Sequence, residues 1–426
     1  MRKIRFFCGY QLVLIGVLLG TVALDQAAQT RLKEKKEYFK LIKESSKEKK
    51  LNRKEETTIR VLLMTTDYQS YFHPSVTLIR DGKEQIYDPE TLKVAGGRIT
   101  IPAHKMGIQI TSVRRQCGNP IYQGELEIIS RPEGLTIINE LPLETYLEAV
   151  VPSEMPSSYE KEALKAQAVC ARTYAWKQMQ EGRLKEQEAD VDDSVNFQVY
   201  QNISPQEAAT EAVKETSGQI LCQNGEPIQA YYFSTSAGST STDEIWGAQQ
   251  PAPYLKSVPC EFDSQQPWSR WETVIPWENL EERARDLSGG TGKLLSAAVT
   301  EKNESGAATG LQVITEDGSF MLEEEYEIRQ FLSPSGCMIT ERDGTETEGG
   351  ILLPSAYITL QEEQGKYVQI TGGGYGHGVG MSQNGANEMA KEGYSCSDIL
   401  NYFFRDVEIQ KISDLAQQKE KLSPPP

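Results

Sequence analysis

The chain has 426 residues, 38% of them hydrophobic, enough for one large domain or two ordinary ones around a buried core. A formal charge of −17 and a pI near 4.9 argue against a nucleic-acid binder, because neutralising phosphates takes clustered Lys and Arg that the chain lacks overall. Such an acidic surface suits a neutral or mixed-charge ligand.

Met1-Arg2-Lys3-Ile4-Arg5 precedes "FFCGYQLVLIGVLLGTVAL", an apolar run from Phe6 to Leu24 without a charged residue. It is close to the ~20 residues that cross a bilayer. Basic residues ahead of it put that end in the cytoplasm and everything after Asp25 outside. Residues 1–29 therefore read as a cytoplasmic N-terminus and a transmembrane signal anchor, making the protein single-pass at the cell membrane. A cleaved signal peptide is the competing reading, but the run exceeds the usual ~7–15-residue hydrophobic region and no clean A-x-A site follows. Residues 30–56, dense in Lys and Glu, read as a charged stalk.

From residue 57 the pattern changes to short strand-like runs divided by turn residues: "TIRVLLMTT", "SVTLIRDG", "GGRITIPA", "GIQITSV", "GELEIIS" and "GLTIINE". In "LPLETYLEAVV" the residues Leu143, Tyr146, Leu147, Val150 and Val151 share one helical face, and Pro152 is expected to end the helix. Ser157 and Glu160 are spaced as a capping box for a second helix. Its Leu164, Ala168, Ala171 and Ala175 form a seam that suits close packing, so this helix reads as central and buried.

"SGQILCQNGEPIQAYYFSTSAG" predicts a hairpin about Asn224-Gly225 running into a hydroxyl-rich loop. Residues 261–350 are less informative, with one helical piece, "WENLEERARDL", and several strand candidates. The strand "YVQIT", the glycine-rich "GGGYGHGVG", a helix from about Met381 to Lys391 and a short helix near "SDILNYFF" follow. A tail, 413–426, closes the chain. The fold class predicted is α+β, sheet-rich with central buried helices, spanning 57–412. Seven cysteines in no recognisable pattern read mostly as buried free thiols.

Three segments could carry chemistry. Glu154 lies in "PSEMP", between two prolines and beside Val150, Val151 and Met155; apolar surroundings would raise its pKa and make it a usable general acid. His377, one of three histidines, sits among glycines that match neither the dinucleotide fingerprint nor a phosphate loop. "YYFSTSAGSTSTDEIWG" offers hydroxyls for a polyhydroxylated ligand and Trp246 to stack on a sugar; it lacks the G-x-S-x-G elbow that a serine hydrolase using Ser236 and His377 would need.

Taken in order, "LPLETYLEAVVPSEMPSSYEKEALKAQAVCARTYAW", "FQVYQ", "YFSTSAGSTSTDEIWG" with "PYLKSV", and "GGGYGHGVGMSQNGANEMAKEGYSCSDILNYFF" resemble the stage II sporulation protein D family, which includes amidase enhancers. The core motifs lie in 139–260 and 366–406. The resemblance implies a lytic transglycosylase acting on peptidoglycan glycan strands during endospore engulfment, with Glu154 as its catalytic acid/base. It further implies a substrate groove lined by Tyr232, Ser234, Ser236, Gly376, His377, Gly378 and Gln383, and stage II sporulation proteins P and M as partners; no cofactor is expected. The alternative it leaves open is a non-catalytic glycan-binding amidase enhancer. One departure concerns metal. Clostridial members carry Cys and His ligands in a segment like D-V-C-D-T-T-H-C-Q-V-Y, whereas "DVDDSVNFQVY" has Asp192, Asn196 and Phe197 there, so no zinc is expected at this place.

Overall fold

The computed structural model describes residues 57–94 and 96–415. The expected anchor, the stalk and the end of the tail lie outside the described residues. Among the described residues no helix is long and apolar enough to cross a membrane.

Each strand-like run at the start becomes a strand. A five-stranded sheet has the order Arg98–Ile101, Glu125–Arg131, Gly134–Pro142, Thr58–Leu63, Val191–Asp192. Its hydrophobic residues alternate between faces. Ile59, Val61 and Leu63 join Leu126, Ile128 and Ile137 in the main core, while Leu62, Ile129 and Ile138 close a smaller cluster on the other side. A second sheet, with Val76–Arg80 between Lys83–Tyr87 and Ile108–Ile110, completes this sheet-rich entry.

The Gly134–Pro142 strand runs directly into the Leu143–Glu154 helix. The next helix, Lys161–Glu181, is the hub of the fold: Leu164, Ala168, Ala171 and Ala175 are fully buried. Its small residues let Glu207–Glu215, Gln383–Lys391, Cys396–Phe403 and the Gln219–Gln223 strand pack against it. Arg172, fully buried on the hub, makes a fork-like pair with Glu144 (Nε–Oε1 2.9 Å, Nη2–Oε2 2.8 Å) and donates to the Val213 and Gln219 carbonyls. The charge is thus fully hydrogen-bonded, the condition under which a buried guanidinium is tolerated.

The stretch that was hard to read forms a lobe with its own core. Trp271–Pro276 and Tyr367–Gly372 pair at the centre of a five-stranded sheet, beside the meander Leu294–Lys302, Ala308–Thr315, Gly318–Leu322. The Trp277–Ser288 and Glu325–Phe331 helices cover it, and Trp271, Ile275, Leu280, Phe331, Val368 and Ile370 fill the interior. The lobe thereby runs beyond residue 350, taking in the "YVQIT" strand.

Two local expectations need correction. The first helix does not stop at Pro152 but continues to Glu154 with the proline inside it. Proline's φ is compatible with a helix and forfeits one backbone bond; Ser153 Oγ donating to the Ala149 carbonyl (2.7 Å), Met155 N–H donating to the Val151 carbonyl (2.9 Å), and buried Val150, Val151 and Met155 hold the last turn. Nor do Ser157 and Glu160 form a capping box. The second helix starts at Lys161 with Glu160 as N-cap, and a distant side chain, Asn387 Oδ1, accepts the Glu160 N–H at 2.9 Å.

Candidate functional site

Glu154 is the last residue of its helix, so its carboxyl projects where the packed turn ends. The Val199 N–H donates to Oε1 at 2.6 Å, and the Tyr232 hydroxyl is hydrogen-bonded to the carboxyl as well. Protein surrounds the carboxyl closely, although the residue as a whole is only partly buried. Desolvation lifts its pKa to about 7, outweighing the Val199 and Tyr232 hydrogen bonds, which pull the other way. A glutamate so placed is part-protonated near neutrality and can both give and take a proton.

A short relay fixes Tyr232. Buried Gln198 donates from Nε2 to the Ala171 carbonyl (3.2 Å) and to the Tyr232 hydroxyl oxygen (3.1 Å), while its Oε1 accepts from Tyr146 (3.2 Å). A backbone carbonyl can only accept, which sets the amide orientation, and the Tyr232 proton is then free to point at Glu154. Gln198 and Val199 are themselves pinned by the preceding turn. Asp192 accepts from Ser194 N and Oγ (2.9 and 2.7 Å) and from the Tyr71 hydroxyl (2.9 Å). Asp193 pairs with Arg115 at 2.5 Å and accepts the Met64 N–H at 2.9 Å. The Asp192 and Asp193 carboxylates of "DVDDSVNF" are thus committed to shaping the turn. Among the described residues no group of three or more His, Cys, Asp and Glu side chains is arranged to hold a metal ion.

The glycine-rich segment docks on the hydroxyl-rich one. Tyr232–Phe233 pairs in parallel with Met381–Ser382, and Thr235 and Tyr375 exchange backbone hydrogen bonds of 3.1 and 2.8 Å. Gly376 and Gly378 serve this close approach. Both have positive φ (+107° and +81°), and a Cβ would fall 2.8 Å from Phe233 Cβ or 2.7 Å from the Tyr357 hydroxyl. Their lost side chains make room for protein.

His377 is built into the same junction. Its ring packs against Tyr231, Phe233 and Trp246, with centroids 6.2, 5.8 and 5.1 Å away. Nδ1 accepts the Val379 N–H at 3.0 Å and the ring is also hydrogen-bonded to the Tyr232 backbone. Desolvation drives its pKa down to about 3, so the imidazole is neutral and ties the loop to the residue carrying the Glu154 partner.

The remaining expected residues separate into two kinds. Ser234 is partly open, with Oγ 3.1 Å from Thr235 Oγ1, and its carbonyl accepts Asn384 N–H at 2.9 Å. Ser236 and Gln383 are buried: the Ser236 hydroxyl faces the Cys260 carbonyl (3.3 Å), and Gln383 Nε2 faces Gln167 Oε1 (3.3 Å). Ser236 therefore makes no pair with His377 of the kind a serine hydrolase uses. Sequence reasoning missed Gln198 and Asp263. Buried Asp263 accepts from Ser236 N (2.7 Å) and Ser382 Oγ (2.6 Å), so one carboxyl joins the two loops. Their partners lie 27 to 119 positions away, beyond any local pattern.

A family model described as stage II sporulation protein matches residues 131–222, which include Glu154 and Gln198. A domain of unknown function (DUF8618) matches residues 254–380, which include the second lobe's core. The amidase enhancer of Bacillus subtilis (strain 168) is 30% identical over 61% of this chain and 39% of its own length. Stage II sporulation protein D of Bacillus amyloliquefaciens is 32% identical over 64% of this chain and 76% of its own. The protein of the same name from Bacillus subtilis (strain 168) is 34% identical over the same shares. The chain belongs to the stage II sporulation protein D family.

Proposed function

We propose that the chain is a peptidoglycan lytic transglycosylase whose acid/base is Glu154. The observation that carries the reading is a single carboxyl with a pKa near 7, held by the Val199 amide and Tyr232 in a residue that is only partly buried. Protonated Glu154 gives its proton to the glycosidic oxygen between N-acetylmuramic acid and N-acetylglucosamine. The resulting carboxylate takes the proton of the muramyl 6-hydroxyl, which attacks C1 and closes a 1,6-anhydro ring. The nucleophile belongs to the substrate, so no second carboxylate holding a water is needed, in contrast to an inverting hydrolase. With Oε1 held by Val199, Oε2 carries the transferable proton. Tyr232 and Ser234 face the sugar beside it, while Gly376, His377, Gly378, Ser236 and Gln383 shape the wall behind them.

In this reading the apolar run of residues 6–24 anchors the domain outside the cytoplasmic membrane, facing the wall during endospore engulfment. Stage II sporulation proteins P and M are the expected partners. The relative named amidase enhancer supports a second reading, a glycan grip that activates a partner hydrolase without cutting. The test is digestion of purified glycan strands by the wild type and by Glu154→Gln, with products read by mass spectrometry. Anhydromuramyl ends from the wild type alone support cleavage by Glu154; none from either supports the grip, and equal yields remove Glu154 from the mechanism.

A further inference from the structure

A cavity of about 600 Å³ opens where the hydroxyl-rich loop meets the second lobe, and Glu154 does not line it. Three cations do: Arg270, Lys302 and Arg342, with no Asp or Glu among the lining residues. This is unusual in a chain with 61 acidic and 44 basic residues.

Two of the cations are positioned by uncharged groups. Lys302 Nζ donates to the Ile358 carbonyl (2.7 Å) and Arg342 Nη2 to Gln265 Oε1 (2.6 Å). Both partners are uncharged. None of the three makes an ion pair among the described residues, although Glu272 and Glu341 lie beyond Arg270 and Arg342 in an adjoining cavity. Tyr357, its hydroxyl 3.3 Å from Ser305 Oγ, adds an aromatic ring to the wall, and hydroxyls and glycine backbone supply the rest. Cations with spare donors beside hydroxyls and an aromatic face suit a sugar or polyol carrying a carboxylate or phosphate.

We propose that this cavity is a second carbohydrate site, selective for an acid-bearing sugar or polyol unit. One chain segment links its lining to Tyr232, the hydrogen-bond partner of Glu154. Tyr232 and Gly238, which lines the cavity, are six positions apart, which limits their separation to roughly 20 Å at full extension. A polymer crossing Glu154 therefore reaches the cavity within a few units. The inference rests on the carbohydrate reading above but not on cleavage.

The test measures binding to the full chain by NMR titration with N-acetylmuramic acid, glycerol 3-phosphate and, as the neutral control, N-acetylglucosamine. The two anions are expected to bind more tightly than the control, with affinity falling as salt rises. Arg270→Ala/Lys302→Ala/Arg342→Ala weakens them ~10-fold or more, while Arg270→Lys/Arg342→Lys stays within a few-fold of the wild type. Preference for N-acetylmuramic acid assigns the site to the glycan's own carboxylates; preference for glycerol 3-phosphate assigns it to a phosphate-bearing wall polymer. Anion binding unchanged in the triple alanine variant, or no preference for the anions over the control, overturns the proposal. Glu154→Gln is expected to keep the anion preference, so loss of cleavage and loss of this site read out separately.

Discussion

At the residue scale, the proposed chemistry turns on how Glu154 shares its proton. Its folded pKa of about 7 exceeds the ordinary 4.5, so folding disfavours the ionised form. The sign follows: below about 4.5 the residue is neutral folded or unfolded and costs nothing, whereas between 4.5 and 7 only the unfolded chain ionises, and stability falls as pH rises. Glu154→Gln should therefore stabilise the protein at pH 8 by up to ~3 kcal/mol, less as any solvent reaching this partly buried residue screens the charge, and hardly at all at pH 4. Denaturant midpoints at the two pH values check this, and equal shifts at both would contradict it. The proposed cleavage, which would need the acid form, should decline above about pH 7 in the wild type. Tyr232→Phe removes a hydrogen bond that lowers the pKa, so the decline should move to higher pH, with a loss in kcat of ~10-fold. A pH profile that keeps its midpoint in this variant would show that Tyr232 does not couple to the carboxyl. The apolar flanks of Glu154 were legible in "VVPSEM". The Val199 amide and Gln198 were not, because the main chain delivers them from 45 and 44 residues further on.

At the element scale, the sequence was most readable where one chain segment decides its own structure. Alternation marked the early strands, the Asn224-Gly225 turn marked its hairpin, and small residues marked the central helix. It was least readable where a remote group decides. Asn387 replaced the expected cap of the second helix, and packing carried the first helix through Pro152. The glycine-rich loop shows the same limit: the resemblance put Gly376 and Gly378 in a substrate groove, whereas close approach to the neighbouring strand and Tyr357 already accounts for both glycines. Gly376→Ala tests which purpose dominates. Its φ of +107° and the 2.8 Å approach to Phe233 Cβ predict a destabilisation of ~2 kcal/mol or more. Because Phe233 follows Tyr232, kcat should fall as well. A variant with unchanged melting temperature and only a raised KM would mark Gly376 as a ligand contact instead.

At the scale of the whole molecule, two hydrophobic cores meet at one loop. Trp271 belongs to the second core and is 1% exposed, yet its Nε1 donates to the Gly374 carbonyl at 3.0 Å. Gly372 lies flat against the same ring, where a Cβ would stand 2.2 Å from Cζ2. The lobe that was opaque in the sequence therefore holds the start of the segment that reaches Tyr375 and His377, and through them Thr235 and Tyr232. Removing this support should act on catalysis without touching the acid. Trp271→Ala is expected to cost ~3–5 kcal/mol and to lower kcat in the protein that stays folded. Trp271→Phe keeps most of the buried area and loses the Gly374 hydrogen bond, about 1 kcal/mol, with a smaller fall in kcat. In both, the pH at which activity declines should stay near 7, because Val199, Tyr232 and the apolar surroundings of Glu154 come from the first core. A full kcat in folded Trp271→Ala, measured on purified glycan strands, would show that the first core alone positions the loop. A shifted pH midpoint would instead show that the second lobe reaches the carboxyl itself.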